Sequence, residues 1–562
     1  MKPMKSRFDI PQWIGRLALW LGVLNVVANI FRRFQPVAHR VDKVIPGLVN
    51  STAFSTALFT SLVLILVASG LRRRKRRAWT IAVIVLAFNL LSDFFRYHYH
   101  PLQIIPNAVL LVILLIVRNE FFAISDPATK FQPLYAFAIL LSFTIISAIM
   151  MLYFRHGHDI VGNPSFKNIF LTVIEGMVGI SGPIEFINQR ASDAVEFSLA
   201  ALGIFTIVLP LFLYFRRVKP LPKMSDEDIE IVRKLIRHDV DQDSLGYFAT
   251  RRDKSVIWAP NKKAGIAYRV EAGVMLASGD PFGEYSLWPA AIDAFLEEAK
   301  LHAWTPAVMG ASDRGGEVWV EHAGMTAFDI GDEAIIKVKD FTLEGRPMAN
   351  VRQMVNRIGR KGYVAKTTKW SDLDLSIRVE LRGLAKKWRY GTPERGFSMS
   401  MDRFGEDIDG EAIITIATLG DEIKGLLYFV PWSHDGISLD RMQRERGTDP
   451  GVNELLIVQT VEWARENKIE SISLNFAAFR SLFERADKIS AGPITRGSRN
   501  LIRFFSNFFQ VESLYRFNAK FDPEWQTRYL VYPKATDIAK IGWAAIKAEQ
   551  FIGSFRKKAV KG

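Results

Sequence analysis

Long apolar runs fill the first part of the chain, whereas shorter segments of alternating or helical periodicity follow residue 225. Each of six runs approaches the roughly 20 residues that a helix needs to cross a bilayer. They predict an α-helical transmembrane domain over residues 1–218. A weaker segment, Ile169–Ile187, predicts an interfacial or re-entrant helix, and a seventh crossing is the alternative. The six runs are Pro11–Phe31, Ala53–Leu71, Trp79–Phe95, Leu102–Val117, Leu134–Phe154 and Phe197–Phe215.

The pattern changes to a mixed α/β type after a proline-bearing linker, residues 219–228. The linker ends in Ser225 and Asp228, which have the spacing of a helix capping box. The order helix, three strands, helix, strand then occurs twice. It predicts two similarly built lobes, residues 229–368 and 369–534. The predicted strands are Ser255–Ala259, Ala264–Val270, Glu271–Ala277, Ala307–Met309, Ala334–Val338, Ala412–Thr418 and Gly425–Pro431, and the helices are Leu287–His302, Val351–Gly362 and Ser371–Trp388.

The second lobe is organised around the stretch from Gly436 to Phe476, which predicts a strand, a polar turn, an amphipathic helix and a strand. Polar residues cluster where these elements end, and a rigid scaffold usually presents its reactive groups at such positions. The alternative is a solvated turn with a helix cap. The clustered residues are Asp440, Asn453, Glu454 and Asn475.

Composition limits the possible chemistry. The chain has no cysteine, which excludes disulfides and thiolate metal sites. Of its 73 Lys and Arg residues, 24 lie in residues 1–224, with only 10 of the 58 Asp and Glu residues. The excess positive charge therefore belongs to the membrane part, and a globally basic nucleic-acid-binding domain is not indicated. The basic loop Arg72–Arg77 and the cations after residue 215 place both termini and the α/β part in the cytoplasm.

Seven motifs, in this order, resemble the synthase portion of the multiple peptide resistance factor family, especially its actinobacterial branch. That family comprises phosphatidylglycerol lysyltransferases and alanyltransferases, and the resemblance covers about residues 225–535. The motifs are GDPFGE (Gly279–Glu284), GDEAI (Gly331–Ile335), RQMVNRIGRKGY (Arg352–Tyr363), SLDRMQ (Ser438–Gln443), GVNELL (Gly451–Leu456), SLNFA (Ser473–Ala477) and KFDPEWQTRYLVYP (Lys520–Pro533).

The resemblance implies two tandem acetyltransferase-like lobes in a multi-pass protein of a bacterial cell membrane. It also implies transfer of an aminoacyl group, with lysyl favoured, from aminoacyl-tRNA to a hydroxyl of phosphatidylglycerol or a related lipid at the inner leaflet. The product lowers the negative charge of the membrane and so resists cationic peptides. Alanine as the donor amino acid, diacylglycerol as the acceptor, lipid flipping and assembly as a homo-oligomer stay open. Arg441-Met442-Gln443 follows Asp440 where the family often has Leu-Met-Arg.

The implied reaction is a transesterification of an already activated ester, so we expect no cofactor and no metal. It needs a carboxylate that acts as a base or binds the donor's ammonium group, together with polar positioning groups and phosphate ligands. The catalytic candidates are Asp440 and Glu454. The substrate-binding candidates are the positioning residues Asn453 and Asn475 and the phosphate ligands Arg444, Lys520 and Arg528.

Residues 345–395 contain 13 Lys and Arg residues against 4 Asp and Glu residues. This local excess predicts a tRNA-binding surface, on which Tyr363, Trp370, Trp388 and Tyr390 could stack with unpaired bases. A solvated face and attraction to the membrane surface are the alternatives. The predicted tRNA-binding residues are Arg352, Arg357, Arg360, Lys361, Lys386, Lys387 and Arg389.

Residues 535–562 predict a basic amphipathic helix that lies on the inner leaflet or packs on the second lobe. Two other functions share parts of the pattern. A membrane-tethered acyl-CoA acyltransferase would have similar lobes, but its phosphate-binding loop is not evident, because Arg446–Gly451 has the wrong spacing. A lipid flippase or transporter with a regulatory cytoplasmic domain is the non-enzymatic alternative.

Overall fold

The computed structural model describes residues 10–33, 61–72, 74–94, 101–121, 132–155, 159–177, 181–215, 224–238, 242–391, 396–478 and 511–549. The chain divides into two compact units, which are residues 1–218 and the bulk of residues 219–562.

The N-terminal unit is helical. Its described helices are α1 (Ile10–Arg33), α2 (Ser61–Leu71), α3 (Arg76–Phe94), α4 (Pro101–Ile116), α5 (Gln132–Arg155), α6 (Phe166–Met177) and α7 (Gln189–Phe215).

Two helices among these described segments are long and apolar enough to cross a membrane, where the sequence predicts six. They are Leu134–Arg155 in α5 and Gln189–Leu211 in α7, with mean hydropathies of 2.3 and 2.0. The apolar stretches Ser61–Leu71 and Ile105–Ile116 have described lengths of about 17 Å, short of the roughly 30 Å of a hydrocarbon core.

Helices α5, α6 and α7 pack closely through small and hydroxylated residues. Thr144 and Thr206 share a buried hydrogen bond of 2.8 Å between α5 and α7. A Cβ atom at Gly203 would lie 2.0 Å from the carbonyl oxygen of Met177, so the α6–α7 crossing requires glycine there. The predicted interfacial segment, Ile169–Ile187, begins within α6, which is only twelve residues long. Near the end of the segment, Phe186 forms a β-bridge with Ile160.

The C-terminal unit is built on one twelve-stranded sheet with helices on both faces. Its first helix, α8 (Asp226–His238), begins at the predicted capping box, in which the Asp228 amide donates to Ser225 Oγ at 3.1 Å. The strands are β1 (Ser255–Trp258), β2 (Ala264–Glu271), β3 (Val274–Ser278), β4 (Phe282–Gly283), β5 (Thr305–Ala311), β6 (Thr326–Lys337), β7 (Tyr363–Lys369), β8 (Ile413–Leu419), β9 (Glu422–Trp432), β10 (Gly436–Arg444), β11 (Ser471–Ala478) and β12 (Glu524–Tyr532).

The remaining helices cover the sheet. They are α9 (Trp288–Leu301), α10 (Asp313–Ala323), α11 (Ala349–Arg360), α12 (Leu375–Lys387), α13 (Val452–Glu466), α14 (Val511–Asn518) and α15 (Ile538–Ala548).

Strand β7 lies almost wholly in the first predicted lobe, residues 229–368, but it pairs with β8 of the second. The sheet therefore divides into a first half with strands β1 to β6 and a second half with strands β7 to β12, and these halves are joined by an exchange of their last strands. The strand order is β1-β2-β3-β5-β12-β6-β11-β10-β9-β8-β7, and β4 pairs with β2. Strand β6 of the first half pairs with β11 of the second, while β12 of the second half pairs with β5 of the first. Strands β6 and β12 pair with each other at the centre. The boundary predicted between the lobes therefore follows the chain but does not separate the sheet.

Alternation along the strands sends apolar side chains to both faces of this sheet. On the back face, α9 and α10 cover the first half and α11 and α13 cover the second. On the front face, α12, α15 and residues 396–404 share one core with both halves. Helix α15 packs there mainly against β2, β3 and β5 of the first half, through buried residues such as Ile541 and Ala545. The sequence predicts instead that it packs on the second lobe or lies on the inner leaflet. Residues 550–562 of the predicted C-terminal helix lie outside the described residues.

Candidate active site

The candidate site begins where the parallel strands β10 and β11 separate. They pair over three residues, from Gly436 opposite Ser471 to Ser438 opposite Ser473. Beyond this point the register shifts in both strands relative to their outer neighbours. The carboxyl ends of such strands form a crevice suited to ligands, because backbone and side-chain polar groups no longer satisfy one another across the gap.

Asp440 lies at this separation, and its side chain is fully buried. One carboxylate oxygen accepts a hydrogen bond of 2.6 Å from the Met401 amide. The other oxygen lies 3.8 Å from Nε of Arg441, whose guanidinium group stacks over the Phe404 ring at 4.9 Å. The structure thus holds a buried carboxylate beside one cation.

Residues 396–404 pass over the separation on the front face, and we call them the roof segment. Asn475 holds this segment by donating from Nδ2 to the carbonyl oxygens of Met399, at 2.8 Å, and of Leu439, at 2.9 Å. Its φ of 69° lies in the left-handed region, which residues other than glycine adopt mainly at turns and functional sites. Asp440 and Asn475 are therefore brought together beneath one loop.

The first half of the sheet also anchors the roof segment. Arg251 donates to the carbonyl oxygens of Ser400, at 2.8 Å, and of Gly396. Arg403 donates to the Thr250 carbonyl oxygen at 2.9 Å. Both halves of the unit therefore fix the position of the loop that covers Asp440.

A row of buried polar groups, which we call the central seam, crosses the middle of the sheet from the same point. Ser473 Oγ donates to Glu333, and Glu333 accepts from Arg528 Nε at 2.8 Å. The Arg528 guanidinium also lies 2.7 Å from Asp243 and donates to Ser244 Oγ at 2.7 Å. Arg528 is 1% exposed. The structure places it in this seam and not in an open pocket, so its predicted role as a phosphate ligand does not suit its surroundings.

The seam carries more carboxylates than cations. Asp280 joins Asp243 and Glu333 around Arg528, and its carboxylate accepts from the Ser312 amide at 2.8 Å. Burial raises the pKa of Asp243 to about 7, against the lowering effect of Arg528. Burial also raises the pKa of Asp280. At least one carboxyl group in the seam can therefore exchange a proton near neutral pH.

Glu454 and Lys520 form a separate polar group at the amino end of α13. Their ion pair measures 2.9 Å, and Lys520 also lies over the Phe517 ring at 5.2 Å. The side-chain oxygen of Asn453 is buried and has no hydrogen-bond partner among the described residues. The side-chain nitrogen and oxygen of Asn518 are also buried and have no hydrogen-bond partner among the described residues. Arg444 is the last residue of β10 and donates to the Thr448 carbonyl oxygen of the following turn at 3.2 Å.

The predicted tRNA-binding residues fall into two groups. On α11 and just after it, Arg357 donates to the Pro450 carbonyl oxygen at 3.4 Å and Lys361 pairs with Asp449. The same helix carries Arg360 and Arg352, and Arg352 bonds to the backbone of the preceding loop. The second group, at the end of α12, consists of Lys386, Lys387 and Arg389.

Of the four aromatic residues predicted to stack on unpaired bases, three are buried. Trp370 and Trp388 are buried, at 0% and 6% exposure, so they pack in the front-face core and cannot stack on a base. Tyr363 is also buried and donates to Asp449 at 3.2 Å. Tyr390, at 41% exposure, stacks with Arg446 at 3.7 Å and remains able to meet a nucleotide.

The chain matches known families over most of its described length. Residues 233–532 match the family model "Phosphatidylglycerol lysyltransferase, C-terminal". The chain belongs to the phosphatidylglycerol lysyltransferase family. This confirms the resemblance found in the sequence. Residues 7–154 match "Transmembrane region of lysyl-tRNA synthetase", which together with α5 and α7 indicates a membrane protein.

Relatives of this phosphatidylglycerol lysyltransferase family member include the lysylphosphatidylglycerol biosynthesis bifunctional proteins LysX. That of Rhodococcus opacus (strain B4) is 35% identical over 545 residues, covering 95% of this chain and 48% of the relative. That of Mycobacterium avium (strain 104) is 33% identical over 560 residues, covering 96% and 47%. The chain thus spans about half the length of these relatives. The structure of L-PGS from Bacillus licheniformis has the same fold for the C-terminal unit, with a TM-score of 0.51, 21% identity and coverage of 60% of this chain and 99% of that one.

Sequence reasoning missed the roof segment and most of the central seam. Glu333 lies within the GDEAI motif, which was noticed only for the family resemblance. Asp243 lies in a segment without apolar periodicity, and nothing local in the sequence marks it. Met401 contributes its backbone amide, which no side-chain pattern can reveal.

Proposed function

We propose that the chain transfers an aminoacyl group from aminoacyl-tRNA to the headgroup hydroxyl of phosphatidylglycerol at the inner leaflet. The observation that carries the proposal is the buried Asp440 carboxylate beneath the roof segment, at the strand separation of a phosphatidylglycerol lysyltransferase family member. The names of the relatives refer to lysylphosphatidylglycerol, so lysyl is the proposed aminoacyl group.

The chemistry requires a bond exchange at an ester. The lipid hydroxyl oxygen attacks the ester carbonyl carbon, the bond to the tRNA ribose oxygen breaks, and the hydroxyl proton ends on that ribose oxygen. Asp440 supplies the carboxylate that the reaction needs, either to hold the donor's α-ammonium group or to accept the hydroxyl proton. Arg441 Nε lies 3.8 Å from this carboxylate, and Asn475 positions the roof segment over it.

The surface formed by α11 and the turn after β10 is the proposed tRNA contact. Arg357 and Lys361 bring positive charge to this turn, and the exposed Tyr390–Arg446 stack offers a platform for an unpaired base. Because tRNA is cytoplasmic, the C-terminal unit is proposed to face the cytoplasm, in agreement with the basic residues after α2. Multi-pass insertion in the inner membrane belongs to the same proposal.

The test is a lipid extract from cells that express the chain and are fed labelled lysine or, separately, labelled alanine. We expect a labelled, base-labile lipid that is absent from a membrane assay treated with ribonuclease. Asp440→Asn should lower the transfer rate by about a hundredfold or more while expression and insertion stay normal. Asp435→Asn, a partly exposed aspartate in the turn before β10, is the matched control and should retain activity.

Two results would contradict the proposal. Full transfer by the Asp440→Asn variant would remove this residue from the site. Absence of any aminoacylated lipid, with the protein present in the membrane, would favour the flippase or acyl-CoA alternative. Labelled acyl-CoA and fluorescent lipid translocation assays then separate those two functions.

A further inference from the structure

Exposed aliphatic side chains are concentrated in one part of the C-terminal unit. Among its described residues, three large aliphatic side chains are more than half exposed: Val364 at 64%, Leu375 at 70% and Val379 at 58%. They lie on β7 and α12, and the next most exposed, Val320 on α10, reaches only 39%. Single exposed aliphatic residues are common on soluble proteins, but a concentration of them marks a binding surface.

Lysines accompany these aliphatic residues on the same sides of their elements. On α12, Leu375 and Val379 are four residues apart, and Lys386 continues the same stripe about two turns further along. On β7, Val364 and Lys366 point to the same side, because they are two residues apart in a strand. Residues 364–389 contain 7 Lys and Arg residues against 3 Asp and Glu residues.

The inner side of α12 supports the candidate active site. Leu381 and Trp388 belong to the same front-face core as Phe397 and Met401 of the roof segment. The exposed stripe lies on the outer side of this helix. A surface that contacts this stripe would therefore lie on the same face of the sheet as the loop that covers Asp440.

We propose that Val364, Leu375 and Val379, together with Lys366 and Lys386, form a patch on which the C-terminal unit rests against the anionic surface of the bilayer. The proposal rests on the proposed function, in which the acceptor is an anionic lipid. Aliphatic side chains gain free energy at the boundary between headgroups and acyl chains, and nearby lysines are attracted to anionic headgroups. Nucleic acid would attract the lysines, but it would gain no free energy from contact with the exposed aliphatic side chains. Lys386, predicted from sequence to bind tRNA, is thereby assigned to lipid.

The absence of cysteine from the sequence allows a direct test on the full chain. Val379→Cys and the matched control Val320→Cys are each labelled with an environment-sensitive fluorophore and reconstituted in phosphatidylglycerol nanodiscs. Nitroxide-bearing lipids should remove most of the fluorescence at position 379 and little at position 320. Nanodiscs of phosphatidylcholine alone should give weaker quenching at position 379. Equal quenching at both positions, or none at 379, would overturn the proposal, as would shielding of the 379 label by tRNA instead of lipid.

The KM values for the two substrates test whether the patch serves the lipid substrate. Val379→Asp should raise the KM for lipid by about tenfold and leave the KM for aminoacyl-tRNA unchanged. Val320→Asp should change neither constant. A rise in the KM for aminoacyl-tRNA with Val379→Asp would assign the patch to nucleic acid. The quenching measurement does not require aminoacyl transfer. It can therefore support or refute the docking surface even if the labelled-lipid experiment contradicts the proposed function.

Discussion

Replacing Arg528 by methionine would remove the positive charge at the centre of the sheet while keeping most of the side-chain volume. The guanidinium group contacts Glu333, Asp243 and Ser244, and it also donates to the Gly310 carbonyl oxygen at 3.3 Å. The variant leaves buried carboxylates without their cation. Breaking a buried ion pair in this way costs about 3–5 kcal/mol, a large share of the roughly 5–15 kcal/mol that stabilises a folded domain.

The measurement is thermal unfolding of the purified full chain, followed by tryptophan fluorescence. At about 2–4 °C per kcal/mol, the expected fall in Tm for Arg528→Met is about 6–20 °C. Lys520→Met is the control, because Lys520 pairs with a single carboxylate, that of Glu454, and keeps 32% of its side chain exposed. Lys520→Met should lower the free energy of unfolding by about 1 kcal/mol.

The reasoning would be refuted by an Arg528→Met variant that unfolds at the wild-type temperature yet requires much more lipid for half-maximal activity. That result would return Arg528 to the role of phosphate ligand that the sequence predicts.

Two further predictions concern the carboxylates of the seam. Because burial raises the pKa of Asp243 to about 7 from its ordinary 3.8, the folded state binds more protons than the unfolded state between these values. The free energy of unfolding should therefore fall as the pH rises from about 4 to about 7, and Asp243→Asn should flatten this dependence in pH-dependent Tm measurements; a rise would contradict the assignment. Gly315→Ala would place a Cβ atom 1.9 Å from an Asp280 oxygen and should cost about 1–3 kcal/mol, whereas Gly316→Ala, with its nearest contact at 3.7 Å, should change Tm little. Equal Tm values for these two glycine variants would show that the Asp280 carboxylate moves aside freely.

Local patterns predicted the elements around the site well. The strand, turn, helix and strand expected between Gly436 and Phe476 are β10, α13 and β11, and the elements begin close to the predicted residues. Alternation and helical spacing depend on which neighbours of the same segment are apolar, so they are visible in a single sequence. The sequence predicts Asp440 at the end of a strand for the same reason, but β10 continues to Arg444, and Asp440 lies at the register shift inside it.

Long-range pairing was not predictable in this way. The partners of Arg528 lie 195 residues away at Glu333 and 284 residues away at Ser244. Nothing near Arg528 in the sequence distinguishes a cation in such a seam from one that binds phosphate. The sequence predicts Trp370 and Trp388 as stacking residues because they lie in a basic segment, but tertiary packing buries them. The apolar runs of the N-terminal unit indicated membrane helices, yet only two described helices meet the length and hydropathy of a span.

The exchanged strands have a consequence for synthesis of the protein. Strand β5 receives its antiparallel neighbour β12 only when the chain has been made to Tyr529, which pairs with Ala311. At ribosomal rates of about 5–20 residues per second, the roughly 200 intervening residues take on the order of 10–40 s. During that interval the nascent first half has an open strand edge at β5, of the kind that recruits foreign strands. The first half of the sheet is therefore complete only after the residues up to Tyr532 have been made.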